Sequence, residues 1–315
     1  MKKFMVGIMI LVTSMVAMAG CSQDGNEKQV TQIGLTQIAE HPSLDMINEG
    51  IRDALESNGY VDSENIKIDY KNAQGSMDIA YQIANSFSDK DLVIAITTPS
   101  AQAAFNALED IPIIYSGVTA PESAGLIGAN ITGVSDMTPI QKQFDLMMEL
   151  FPETKEVGMV YNTNEVNSEI QVQLAKEIVK GMGLDLIVSG ITNTDEMALA
   201  MDTVLEEVDI LYTQVDNSIA AAYPMVMAKA NEKSVPVIGG VEDYVTQGAI
   251  ATDGINNYTI GYQTGEMISR ILDGESIEDN PFETIKETEL SLNKEVLEKY
   301  NIDIDETLAN KATIY

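Results

Sequence analysis

Three kinds of side chain are nearly missing from this sequence of 315 residues: it has one cysteine, one histidine and no tryptophan. With Cys21 as the lone thiol, no intramolecular disulfide can form and stability must rest on packing. A single imidazole, His41, removes the usual donors of a zinc site, so no metal is expected. It is also the only histidine a Ser-His-acid triad can use, and no serine is marked as its partner. Absent as well are a G-x-x-x-x-G-K-[ST] phosphate loop, a strand-led G-x-G-x-x-G turn and a G-x-S-x-G nucleophile elbow. Acids abound, but nothing singles out a carboxylate pair for glycoside hydrolysis. Neither enzymatic activity nor a cofactor is expected. The only arginines, Arg52 and Arg270, fall within helical patterns, so no loop arginine is placed to clamp an anion bidentately.

Positive charge is scarce too. Lys and Arg number 18 against 49 Asp and Glu, a net charge of −31. This excludes nucleic acid as a partner, since binding there requires cations that neutralise phosphates. It also disfavours docking of the protein surface on anionic lipid headgroups. The acids are scattered, which fits solubility and self-repulsion better than an acid-seeking partner. A hydrophobic content of 45% supplies a sizeable core, and the length has room for about two domains.

The first residues follow another rule. Lys2 and Lys3 precede an uncharged apolar run, Phe4 to Met18, and Met18-Ala19-Gly20 places small residues ahead of Cys21. This is the layout of a secretory signal. The run is shorter than the ~20 residues of a spanning helix. The segment resembles a bacterial lipobox, with Met18 where leucine is usual. That resemblance implies that residues 1–21 are a signal peptide, that Cys21 carries the lipid, and that the mature protein lies outside the cytoplasm on the cell membrane. Residues 22–29 are polar and read as a tether.

Beyond the tether, apolar runs alternate with amphipathic stretches. Strands are expected at Val30–Thr36, Ile66–Tyr70, Leu92–Thr97 and Ile111–Tyr115, with helices between them. The pattern restarts after Thr138-Pro139, with strands at Val157–Tyr161, Leu184–Ser189, Ile210–Thr213 and Val235–Ile238 and a helix over Ile219–Lys233. The fold class is therefore α/β, with two doubly wound parallel-sheet lobes. Later elements at Ala249–Thr252, Ile260–Leu272 and Glu289–Leu292 suggest that the chain returns to the first lobe and crosses again. This gives a three-strand hinge near 136, 253 and 283. One lobe comprises 30–136 with 253–282, the other 137–252 with 283–315.

Ligands of open α/β sheets bind beyond the carboxyl ends of the strands. In the first lobe, those ends carry Thr36, Thr98, Ser100 and Ser116. Thr98-Pro99-Ser100 starts a helix, and free N–H groups there suit a carboxylate, although hydroxyls at such places also act as simple caps. The second lobe supplies Asn162, Glu165, Asn167, Ser168, Asp216, Asn217 and Glu242. An acid facing the first-lobe helix start can hold an ammonium, so an α-amino acid would bridge the lobes. Asp216 can equally cap the helix at Ser218. Tyr115, Tyr161, Tyr212 and Tyr244 lie near strand ends, either as packing residues or as walls of an aromatic pocket.

Several segments carry a family resemblance: Glu40-His41-Pro42-Ser43-Leu44-Asp45, Asn72-Ala73-Gln74-Gly75, Thr98-Pro99-Ser100-Ala101-Gln102-Ala103, Ile131-Thr132-Gly133-Val134-Ser135-Asp136 and Tyr161 through Ser168. Together with Asp216-Asn217 and Gly248-Ala249, they resemble ABC transporter substrate-binding lipoproteins of the tryptophan/tyrosine type. The resemblance runs over nearly the whole mature chain. It implies a type I periplasmic-binding fold, hinge closure on a small molecule, and an ABC permease with its ATPase as partners. It also implies that Thr98 and Ser100 meet the ligand carboxylate, and that Asn162, Glu165, Asn167, Ser168, Asp216 and Asn217 form the second-lobe wall. A sensor of the same fold, and a sugar or nucleoside as ligand, stay open at this point.

Overall fold

The computed structural model describes residues 30–315; the signal segment, Cys21 and the tether lie outside the described residues. The first series comprises β1 (Thr31–Gln37), α1 (Pro42–Ser57), β2 (Ile66–Asn72), α2 (Met77–Ser86), β3 (Leu92–Ile96), α3 (Thr98–Ala107), β4 (Ile113–Ser116) and β5 (Ile131–Ser135). The second runs α4 (Ile140–Leu150), β6 (Glu156–Asn162), α5 (Val166–Met182), β7 (Asp185–Ile191), α6 (Met197–Val204), β8 (Ile210–Thr213), α7 (Asn217–Ala221), α8 (Tyr223–Lys233), β9 (Val237–Gly239), α9 (Glu242–Thr246) and β10 (Ala251–Gly254). It is followed by α10 (Asn257–Leu272), β11 (Glu283–Thr284), β12 (Glu289–Leu292), α11 (Lys294–Lys299), α12 (Glu306–Ala309) and β13 (Ala312–Ile314).

Two sheets result. The first, ordered β11-β5-β4-β3-β1-β2, is parallel throughout. The second, ordered β13-β12-β10-β9-β8-β6-β7, is parallel except where β10 meets β12. Runs such as Leu92–Ile96 are buried along their whole length, as strands covered by helices on both faces must be. Helix α1 starts on Pro42, where the missing N–H costs nothing, and buries Leu44, Ile47, Ile51 and Leu55 at helical spacing. Among the described residues, no helix is long and apolar enough to cross a membrane.

The chain passes from one sheet to the other between β5 and α4, between β10 and α10, and between β11 and β12. The last two passages lie later than expected. Asp253 and Gly254 still pair with β12, and Glu283–Thr284 still pairs with β5. Two further departures have local causes. The helix expected over 219–233 is two helices, because Pro224 occupies the first turn of α8 and has no N–H to continue α7. Strand β5 was not expected, since Gly133 interrupts a short run, yet its backbone passes against Tyr115 where any Cβ would collide.

Two contacts fix the lobes. Helix α10 belongs to the first sheet's layer and packs closely on α1. A Cβ on Gly261 would stand 2.0 Å from the Ile47 carbonyl oxygen, so only glycine permits that approach. Between the sheets, Gln143 of α4 gathers the crossing strands. Its amide donates to Thr138 Oγ1 at 2.6 Å, to Gly240 O at 2.9 Å and to Asp253 O at 3.2 Å, and it accepts from Tyr212 Oη at 2.5 Å.

Candidate functional site

The carboxyl ends of both sheets face one another across a narrow cleft. Its empty volume, counted to the open side, is about 400 Å³. From the first lobe it is lined by His41, Thr97, Thr98, Thr119 and Asp136, at the ends of β1, β3, β4 and β5. The second lobe contributes Asn167, Asp216, Asn217 and an apolar wall of Val215, Ala220, Val241 and Tyr244. No lysine or arginine lines it.

Four of the residues expected from the sequence, Thr98, Asn167, Asp216 and Asn217, line this cleft. The others stand behind it. Ser116 is tied to Thr264 of α10 at 2.7 Å. Thr36 and Ser100 are buried, with hydroxyls that lack a partner. Asn162 holds Ser218 Oγ at 2.8 Å, and Ser168 is buried beneath the loop. Glu242 points elsewhere: its carboxylate accepts from Asn256 Nδ2 at 2.5 Å and from the Tyr315 hydroxyl, because α9 turns its first residue toward the crossing strands.

The second-lobe acids are already engaged within their own lobe. Asp216 Oδ1 accepts from the Ser218 and Ile219 N–H groups at 2.8 and 2.9 Å, and Oδ2 from Asn162 N at 2.8 Å. A carboxylate so committed is a helix cap and leaves little room for an ammonium. Glu165 accepts from the Asn217 and Asn167 side-chain amides at 2.6 and 3.2 Å. Burial and the nearby Asp216 charge push its carboxyl up to about 7. These acids orient amides that face the cleft.

The first lobe is the opposite. Thr97, the cap of α3, has φ 77° and ψ 163°, a conformation that side chains other than glycine rarely adopt, and its hydroxyl has no partner. Both ring nitrogens of His41 lack hydrogen bonds, and burial pushes the ring down to about 4 from 6.5 against the opposing charge of Asp45. Asp136 Oδ1 is likewise unpartnered, and burial pushes this carboxyl up to about 6. The sequence has Thr97 closing an expected strand and His41 and Asp136 within family segments, and assigns none of them to the site. Their only signal was position at a strand end. Of the four tyrosines, only Tyr244 lines the cleft, stacked on Tyr223 with ring centroids 4.0 Å apart. Tyr115 and Tyr212 are core residues.

Comparison with known proteins places this architecture. The chain is 41% identical over 94% of its length, and 91% of the relative's, to a tyrosine-binding protein of Clostridioides difficile. It superposes with a TM-score of 0.87 and 32% identity on an ABC domain from Streptococcus pneumonia in complex with L-Trp, covering 90% of this chain and 99% of that one. Against the ligand-free, open structure of a substrate-binding protein with adhesive properties from Clostridium difficile, the identity is 39% but the TM-score only 0.69, with 91% and 99% covered. The fold is that of type I periplasmic binding proteins. Residues 32–314 match the model of the ABC transporter substrate binding protein family, whose members are extracytoplasmic receptors for solutes and not enzymes. The chain belongs to the ABC transporter substrate-binding protein family.

Proposed function

We propose that this protein captures an aromatic α-amino acid between its lobes and delivers it to an ABC permease and its ATPase, while a lipid on Cys21 holds it to the membrane. One observation carries the ligand class. The cleft is narrow, lacks lysine and arginine, and keeps unpaired polar atoms of His41, Thr97, Asp136 and Asn167 beside an apolar wall that includes Tyr244. Buried polar groups need partners, and a small amphoteric ligand with an apolar side chain provides them. The start of α3, at Thr98 and Ser100, suits the carboxylate. Asn167 and Asn217 close over it from the other lobe. The tyrosine-binding and tryptophan-bound relatives support the same class.

In this reading, the first sheet with α10 is one lobe, the second sheet is the other, and the crossings at 136–139, 255–256 and 285–288 bend. The greater likeness to the L-Trp complex than to an open, ligand-free relative supports reading the present arrangement as the closed one. A ligand that touches both lobes favours closure by its differential affinity. Thermal-shift screening against the amino acids, with sugars and nucleosides as controls, tests this. A ligand at 100 times its Kd adds about 2.7 kcal/mol of stability. A rise with tyrosine or tryptophan is expected. A rise only with a sugar or nucleoside would overturn the ligand class.

A further inference from the structure

Asp136 is a buried carboxylate without a counter-ion. It follows β5, is 5% exposed, and lines the cleft. The Thr119 hydroxyl is beside it, but Oδ1 has no hydrogen-bond partner. No ion pair among the described residues includes it. Gly117 leaves the approach open, because even a Cβ there would stop 3.6 Å from Oδ2. A carboxylate taken out of water without a cation is costly, and proteins pair such groups. The cleft itself contains no lysine or arginine to do so.

We propose that Asp136 seats the ammonium group of the ligand, so that the first lobe alone reads both charged ends of an amino acid. This rests on the amino-acid reading above and deepens it. Three observations favour the assignment. Asp216 is spent on three backbone N–H groups and Glu165 on side-chain amides, so neither is free to hold a cation. The Asp136 oxygen is free and buried. Finally, β5 lies two strands from β3 across β4, about 10 Å at ~4.8 Å per strand. An α-amino acid spans such a gap when its ammonium and carboxylate each lie one hydrogen bond, about 2.8 Å, from the protein. The carboxylate then lies at the start of α3, and the side chain points to the apolar wall of the second lobe. Recognition of both charges precedes closure, and the second lobe adds amides and apolar cover.

Calorimetric titration of the purified protein tests this with three probes: L-tyrosine, L-tryptophan and 3-(4-hydroxyphenyl)propionate, which is tyrosine without its amino group. Asp136→Asn should weaken L-tyrosine or L-tryptophan by roughly 100-fold or more, while binding of the deaminated probe changes by less than about threefold. The wild type should reject that probe by a similar factor, a measurement that needs no variant to fold. Two results overturn the assignment and leave the amino-acid reading standing. One is a folded Asp136→Asn protein that binds L-tyrosine or L-tryptophan within about threefold of wild type; the other is a wild type that binds the deaminated probe as tightly as L-tyrosine. A wild type that binds no amino acid overturns both.

Discussion

The two walls of the cleft are made of the same residue types and use them in opposite ways. On the second lobe, Asp216, Glu165, Asn162 and Asn217 pair with one another and with backbone N–H groups. On the first, His41, Thr97 and Asp136 leave polar atoms buried and unpaired. Apart from Asn167 Oδ1, the polar groups that the second lobe turns to the cleft are already paired without a ligand. Unpaired groups cost free energy that only a ligand or water can offset. In the proposed reading, the first lobe holds the charged ends of the ligand, and the second acts as a largely prepaired lid.

The comparison can be broken by substitution, and the largest effect should come from the lid. Asp216→Ala strips the cap from α7 and leaves the buried Asn162 N–H without its acceptor. Adding the two losses gives about 3 kcal/mol of stability, read by urea denaturation. A loss below about 0.5 kcal/mol would show that the network is not structural.

The second effect concerns His41 and pH. Its pKa falls from 6.5 to about 4 on folding, so the unfolded chain binds more protons between those values. Its contribution to stability is full above pH 6.5 and is lost as pH falls toward 4. Asp136 and Glu165, whose carboxyls are raised by burial, contribute with the opposite sign and partly mask this in the wild type. Subtracting the pH profile of His41→Gln isolates the histidine, and the difference should reach about 2 kcal/mol between pH 6.5 and 5. Parallel profiles would mean that the ring is not buried in solution.

The smallest effect sharpens the contrast. Thr97→Gly relieves a positive φ and should raise stability by about 1 kcal/mol after the glycine entropy cost. The same change removes an unpaired hydroxyl from the cleft and should weaken amino-acid binding. A variant both less stable and equally tight would place strain and recognition elsewhere.

Much of this was legible in the sequence. Val/Ile/Leu runs alternating with amphipathic stretches fix a helix-covered parallel sheet, and the restart after Pro139 separates two lobes. Strand β5 stayed hidden, because Gly133 weakens its apolar signal and the clash it avoids with Tyr115 exists only in three dimensions. The site was half legible. Strand-end position found Thr98, Asn167, Asp216 and Asn217, but residue type cannot tell a carboxylate that caps a helix from one awaiting a cation. Asp216 and Asp136 differ only in how many N–H groups surround them.

The seating of α10 on α1 bears on how the molecule assembles. These helices are some two hundred positions apart along the chain, with the eleven elements from α4 to β10 among those made in between. The first lobe therefore cannot cover its apolar layer until residues beyond 257 are available, and the second sheet gains β12 and β13 later still. Contacts of such long sequence separation form late, because the closure entropy must be met first. Neither lobe is complete before these late elements arrive, which ties ligand competence to completion of nearly the whole chain.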